Sequence, residues 1–430
     1  VFSYSNIVED LVIERLMNSN GEHIPVIITG DNCGCDDLEK CIKELGGVVK
    51  HRLSIINAVA AYIPPVGVRS VARDKTINKV HFDDMVFKLM DVASVTVASD
   101  YANEHGLTGK GVTVAVVDTG VHPHSDLTTP NNRIVGFVDF VDKKTAPYDD
   151  DGHGTHVAGI VAGNGFASQG KYMGIAPDAN IVGVKVLNKD GGGNISDVIA
   201  GIQWVIDNKQ RYNISVVTLS LGTKAKVSYK EDPLCRAVDK AESHGITVVV
   251  AAGNSGPEAS TINSPAISPN TIAVGACNDR TASTPRDCKI ADFSSRGPTP
   301  DGLKKPDILA PGVNINSLSN KGNGYHSLSG TSMATPIVAG CAALLYENNP
   351  NLTPSQVKRM MTESCVNLGY GSEVQGAGLL DIKDIMSKSK ISPQPPKRTP
   401  QDRQQNTKGI FSIFDGWFFV ILIVILILIL

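Results

Sequence analysis

Val112-Thr113-Val114-Ala115-Val116-Val117 runs directly into Asp118-Thr119-Gly120. Six uncharged residues, most of them β-branched, closed by a turn signal, predict a strand buried on both faces. Three more runs of this kind follow at 181–187, 215–221 and 246–252. Between them Ile195, Val198, Ile199, Ile202, Val205 and Ile206 recur at helical spacing, and 233–244 opens with Pro233 and is closed by Gly245. Strands alternating with helices predict an α/β domain of three layers, with a mainly parallel central sheet and its sites at the strands' carboxyl ends. Asp118 stands at such an end.

Outward from this core, 330–348 predicts a long helix opening on small residues, and 353–365 a second with Pro354 in its first turn. Toward the N-terminus the pattern changes. Strands are expected at 25–29, 48–53, 58–63 and 77–82, with helices at 36–45 and 66–74. The order strand-helix-strand-strand-helix-strand is that of a small ferredoxin-like α+β unit. The expected organisation is residues 1–98 as that unit, 99–387 as the main domain, 388–409 as a Pro-bearing basic linker and 410–430 as an apolar tail.

Three segments carry the chemistry: Val116-Val117-Asp118-Thr119-Gly120, Asp151-Gly152-His153-Gly154-Thr155-His156 and Gly330-Thr331-Ser332-Met333-Ala334-Thr335-Pro336. A serine hydroxyl is a poor nucleophile until an imidazole takes its proton, and the imidazole needs a carboxylate to fix its tautomer. Asp118 at a strand end, His153 between glycines and Ser332 at a helix N-terminus supply those types where such sites form. Taken singly, Asp118 and Ser332 read as caps and either histidine as a core residue. Chemistry alone does not choose His153 over His156.

Together, in the order Asp, His, Ser, these segments resemble the subtilisin-like serine proteases, over roughly 109–381. The resemblance implies a serine endopeptidase with Ser332 as nucleophile, His153 as general base and acid, Asp118 orienting it, and His156 as a helix residue. It implies that Asn254, in Ala251-Ala252-Gly253-Asn254-Ser255-Gly256, donates to the oxyanion, with Gly253 beside it; from its residues alone Asn254 reads as a turn. Ser220-Leu221-Gly222 resembles the family's substrate-pairing edge and Gly191-Gly192-Gly193 its opposite rim. No cofactor is needed for the chemistry. Structural calcium is a family expectation for which no ligand or other metal site is assigned, because 162–174 lacks an acidic cluster. By the same resemblance 1–98 is a propeptide that docks on the protease as an intramolecular inhibitor, with self-cleavage expected within 93–102. The layout is similar to that of bacterial AprX-type serine proteases.

Composition limits the alternatives. In 430 residues the net charge is −3, which gives no basic footprint for nucleic acid. The eight cysteines lack zinc spacing at Cys33, Cys35 and Cys41, and Cys341 lies in an apolar run as a buried thiol. An ester hydrolase would be expected to carry a G-x-S-x-G elbow, and Gly330-Thr331-Ser332-Met333-Ala334 is not one. A catalytically silent binding or signalling module on this scaffold would be expected to have lost one of the four motif residues, and all four are present. Residues 1–20 show no secretory signal, and basic residues precede the apolar run 417–430. The expectation is a protease acting on proteins or peptides in the cytoplasm, tethered to the membrane by its tail.

Overall fold

The computed structural model describes residues 7–88, 102 and 105–389, apart from 20, 32, 72 and 280–284. The expected linker and tail, beyond Lys388 and Ser389, lie outside the described residues, as does the stretch 93–102 apart from Ala102. Among the described residues no helix is long and apolar enough to cross a membrane.

The chain opens with α1 (Asp10–Asn18), β1 (Ile24–Gly30), α2 (Cys35–Glu44), β2 (Val48–Leu53), β3 (Ala58–Ile63), α3 (Pro65–Val71) and β4 (Ile77–Phe82). The strands form an antiparallel sheet in the order β2-β3-β1-β4. Helix α3 stops short of the expected 66–74 because the Asp74 carboxylate accepts from the Thr76 N–H (2.9 Å) and hydroxyl (2.7 Å), closing a local turn. The strand β5 (Met85–Lys88) follows, in a place where no strand was expected.

The larger sheet is built from β6 (Thr113–Asp118), β7 (Ile134–Asp139), β8 (Asn180–Lys185), β10 (Ile214–Leu219), β12 (Thr247–Ala251), β14 (Ile272–Asn278), β15 (Lys289–Ile290), β16 (Ile308–Pro311), β19 (Cys365–Val366) and β20 (Leu379–Leu380). Its order is β19-β20-β16-β14-β12-β10-β6-β8-β7, with β15 beside β14. Every pairing is parallel except β14 with β15 and β19 with β20. The short strands β9 (Gly192–Asn194), β11 (Leu221–Lys224) and β13 (Asn263–Ser264) form a small separate sheet with β5, and β17 (Ile315–Leu318) pairs with β18 (Tyr325–Leu328) as a hairpin. The helices that matter here are α4 (His153–Ala162), α5 (Ile195–Asp207), α6 (Pro233–Ser243) and α7 (Thr331–Asn348).

Alternation along β6 explains why its sequence is apolar throughout. Val114 and Val116 enter the core shared with α4 and α7, while Ala115 and Val117 enter the core shared with α5 and α6. The expected single run 215–221 is broken at Ser220, between β10 and β11. All eight cysteines stand as thiols, and Cys341 is fully buried inside α7.

Candidate active site

Strands β12, β10, β6 and β8 are parallel neighbours, so their carboxyl ends share one edge of the sheet. Asp118 is the last residue of β6, Ser220 follows β10, and Gly253 and Asn254 follow β12. The topology thus delivers residues more than a hundred positions apart to one place.

Helix α4 begins at His153, where side chains satisfy its first backbone donors. His153 N–H donates to Asp151 (3.0 Å), Gly154 N–H to Thr119 (2.8 Å) and Thr155 N–H to Asp149 (2.9 Å), which also accepts from the Thr155 hydroxyl (2.7 Å). These bonds fill positions that a helix end otherwise leaves unpaired. Close approach also requires glycine: a Cβ on Gly154 would lie 2.2 Å from the Gly120 carbonyl oxygen. With the backbones in contact, His153 Nδ1 reaches Asp118 Oδ1 at 2.7 Å, and both side chains are buried. A proton shared on that line leaves Nε2 as the basic nitrogen of the ring.

Ser332 is the second residue of α7. Its hydroxyl donates to the Ser220 carbonyl oxygen (3.1 Å), and the Ser220 hydroxyl donates back to the Ser332 carbonyl (2.9 Å). Asn254 is fixed from the same helix end, since its Oδ1 accepts from the Thr331 N–H (3.0 Å) and hydroxyl (2.9 Å). That commits the oxygen and leaves the buried Nδ2 without a protein partner among the described residues. A buried amide donor without an acceptor costs on the order of 1–3 kcal/mol, so this N–H₂ is a group that an added acceptor would satisfy. Gly253 precedes it at φ 118°, where a Cβ would meet Ser295 Oγ at 2.7 Å.

His156, one turn along α4, faces elsewhere. Its Nε2 donates to the carbonyls of Ile315 (2.9 Å) and His326 (3.1 Å), tying α4 to the β17–β18 hairpin. Burial pushes its pKa well below the usual histidine value, so the ring is neutral. The motif spacing left Lys185 unnoticed. It is fully buried at the end of β8, and its ammonium donates to the Thr119 carbonyl (2.6 Å), the Leu187 carbonyl (2.9 Å) and Asp150 (2.7 Å). It braces the turn that carries Asp118. A lysine in an otherwise apolar run beside an Asp-rich loop was the available signal.

The two rims of the expected groove are strands. Gly192 and Gly193 lie in β9, with Gly191 in the turn before it, and Leu221 and Gly222 lie in β11. Between them runs β5, antiparallel to both: Lys88 opposite Leu221, Phe87 opposite Gly222 and Gly192, Val86 opposite Gly193. The chain's own segment is thus the strand between the two expected rims. Nothing in Met85-Val86-Phe87-Lys88 marks it as such, because edge pairing uses backbone groups that every residue has.

For structural calcium, the residues after α4 are a poor match. The Asp126 carboxylate accepts from the Gly165 N–H (3.1 Å), the Ala167 N–H (2.8 Å) and the Tyr325 hydroxyl (2.8 Å), which closes that loop with protein donors instead of a ring of oxygens. Among the described residues no group of three or more His, Cys, Asp or Glu side chains is placed to hold a metal ion.

Comparison with known proteins adds independent findings. The model of the subtilase family matches residues 109–379. The chain is 48% identical to serine protease AprX of Bacillus subtilis over 342 residues, 74% of this chain and 76% of that protein. It is 36% identical to subtilisin E of the same organism, over 80% of this chain and 84% of that protein. Among solved structures, fervidolysin of Fervidobacterium pennivorans, a keratinolytic enzyme related to subtilisin, superposes with a TM-score of 0.67 at 23% identity, covering 87% of this chain and 62% of that one. A family model spanning most of the chain, together with this level of identity, makes it a member of the subtilase family of serine proteases.

Proposed function

We propose that the chain is an endopeptidase whose acyl-enzyme forms on Ser332. His153 takes the serine proton at Nε2 and later delivers it to the leaving amine. Asp118 holds the ring in the Nδ1–H tautomer and stabilises the imidazolium that forms. The tetrahedral oxyanion is held by Asn254 Nδ2 and the backbone N–H of Ser332, donors fixed before the charge appears. The observation that carries this reading is the buried 2.7 Å pair of His153 and Asp118 at the edge where Ser332 and Asn254 are also anchored.

A substrate binds as an extended strand between β9 and β11, where backbone pairing gives affinity without demanding a sequence. The N-terminal unit is the enzyme's own inhibitor. What supports this is the position of β5, which takes the strand that a substrate would need. The test is Ser332→Ala. It should lower peptide turnover by about 10⁶-fold, the size known from subtilisin itself, with the fold retained. A serine-directed phosphonate should label only the wild type. Near-normal hydrolysis by the alanine variant would remove the assignment.

A further inference from the structure

Strands β14 and β15 run antiparallel, with Cys277 opposite Ile290 and Asn278 opposite Lys289. Side chains two apart along a strand share a face, so Cys288, two residues before Ile290, falls on the side of Cys277. Both thiols are buried, and with Leu379 of β20 they form a small core of their own, against which Val366 and Leu368 pack. The two thiols act on one another. Cys277 is pushed well above the usual thiol value, first by its hydrogen bond to Cys288 and then by burial, while the same bond holds Cys288 below that value. Cys277 is thus the donor, and Cys288 the sulfur with thiolate character. Burial pushes the other way at Cys35, Cys41, Cys235, Cys341 and Cys365. The pair also borders solvent. Val366 lines an open cleft of about 600 Å³ together with Arg286, Cys365 and Asp381. Arg286 sits in the single exposed turn Pro285–Asp287, closed over Cys288 by one long bond, from the Cys288 N–H to the Pro285 carbonyl (3.4 Å). Cys365, the other thiol on the cleft, donates to the Met361 carbonyl (3.2 Å).

We propose that Cys277 and Cys288 are a redox-active dithiol, a site at which a hydroperoxide is reduced as the pair closes to a disulfide. The Cys288 thiolate attacks one peroxide oxygen, the O–O bond breaks, and the other oxygen leaves as hydroxide, which takes up the proton that Cys288 lost. Cys288 is then a sulfenic acid. The Cys277 sulfur attacks the Cys288 sulfur, the S–O bond breaks, and the departing hydroxide takes the Cys277 proton. Two thiols have given up two electrons and two protons, and with hydrogen peroxide the products are one disulfide and two waters. A dithiol reductant reverses the change by thiol–disulfide exchange. The new bond closes the connection between β14 and β15 at both ends. That restricts the unfolded chain and so stabilises the folded one.

The experiment is a time course of hydrogen peroxide on the reduced, purified full chain, with remaining thiols alkylated and the peptides mapped by mass. A Cys277–Cys288 linked peptide, lighter by two hydrogens, should form roughly tenfold faster than any other cysteine is oxidised. Dithiothreitol should restore both thiols. The oxidised chain should melt several degrees above the reduced one. Cys277→Ser should stop at the Cys288 sulfenic acid, captured by dimedone, and Cys288→Ser should leave Cys277 open to alkylation after peroxide. Mapping of the wild type decides the matter even where a variant fails to fold. Oxidation of another cysteine first, a disulfide from either residue to a third cysteine, or a linked chain that melts no higher than the reduced one would each overturn the proposal.

Discussion

The two sheets of this protein are built from similar strands and completed in different ways. In the large sheet, helices of the same catalytic body cover both faces. In the N-terminal sheet, Val26, Ile28, Val59, Ala61 and Ile63 pack under α1, α2 and α3, but the alternate residues Ile27, Ala58 and Ala60 belong to the core formed with α5 and α6. One of the small sheet's two faces is thus covered by the enzyme. Polar groups at the seam are partnered across it. Asp83 accepts from the Ser196 N–H (2.8 Å) and hydroxyl (2.5 Å) at the start of α5, while Lys50 and His51 reach Asp197 at 3.2 Å and 2.8 Å. The large sheet is closed by elements of its own domain, whereas one face of the small sheet is closed by the other domain.

The sharpest way to separate the two regions is Asn254→Ala. It should cost about 10²–10³ in kcat with little change in KM, a magnitude known from subtilisin itself, and leave docking of the N-terminal unit untouched. A loss confined to KM would make Asn254 a binding residue.

Next in size is the effect of acid on the seam. His81 lies buried opposite Ile27 on the docking face, and its pKa is lowered to about 4 by burial, with Lys79 and Arg236 adding to the shift. An exposed histidine takes its proton near 6.5. Between those values the released unit binds one proton more than the docked one, so docking is intact above about 6.5 and weakens as pH falls to about 4. The change is as much as about a hundredfold in release rate. Glu9, 3.8 Å from His81, has its carboxyl raised by its own burial and works in the opposite direction. Comparison with His81→Gln isolates the histidine's part: the variant should show a flatter rise in release rate, followed by the appearance of peptidase activity after self-cleavage. An unchanged profile would place the acid response elsewhere.

What the sequence could reveal follows from which interactions leave a pattern. The buried strands are legible because residues facing two cores must both be apolar, and Asp118 is legible because it interrupts such a run at its end. The strands 48–53, 58–63 and 77–82 lie where alternation and turn signals put them. The consecutive apolar residues Val26, Ile27 and Ile28 carried a further hint, that the small sheet has two covered faces, though not what covers the second. Illegible features depend on backbone pairing or on single contacts across the chain. Strand β5 needs only N–H and C=O groups. Asp149, which accepts from the first turn of α4, is one of three consecutive aspartates, and nothing in their order picks it out. The register that brings Ser220 to Ser332 comes from the break between β10 and β11, within a run that reads as one strand.

A smaller effect is expected at the single carboxylate that joins the two regions most directly. Asp83→Ala should remove the acceptor from the first turn of α5, where such a loss costs about 0.5–2 kcal/mol. Release of the N-terminal unit should then be roughly tenfold faster, since about 1.4 kcal/mol is a factor of ten. Steady-state kcat/KM of the freed enzyme should not move, because Asp83 belongs to the part that has left. A change in that value would mean the seam also shapes the site.

The smallest expected effect is that of a chelator, and it tests whether the catalytic body depends on anything besides its own chain. A calcium ion bound at a hundred times its Kd would contribute about 2.7 kcal/mol. In a domain of 150–250 residues each kcal/mol moves Tm by roughly 2–4 °C, so removing such an ion would lower Tm by several degrees. The loop after α4 has its anchoring carboxylate, Asp126, already committed to two backbone N–H groups and the Tyr325 hydroxyl. Those donors would have to be given up before that carboxylate could turn to a cation, so the loop gains nothing from the exchange. Excess EDTA should therefore leave the melting curve and the peptidase rate of the freed enzyme where they were. Tyr325→Phe, which takes away one donor and leaves the ring, should destabilise by about 1 kcal/mol with or without chelator. A fall of several degrees on adding EDTA, restored by calcium, would show that the fold is completed by an ion after all.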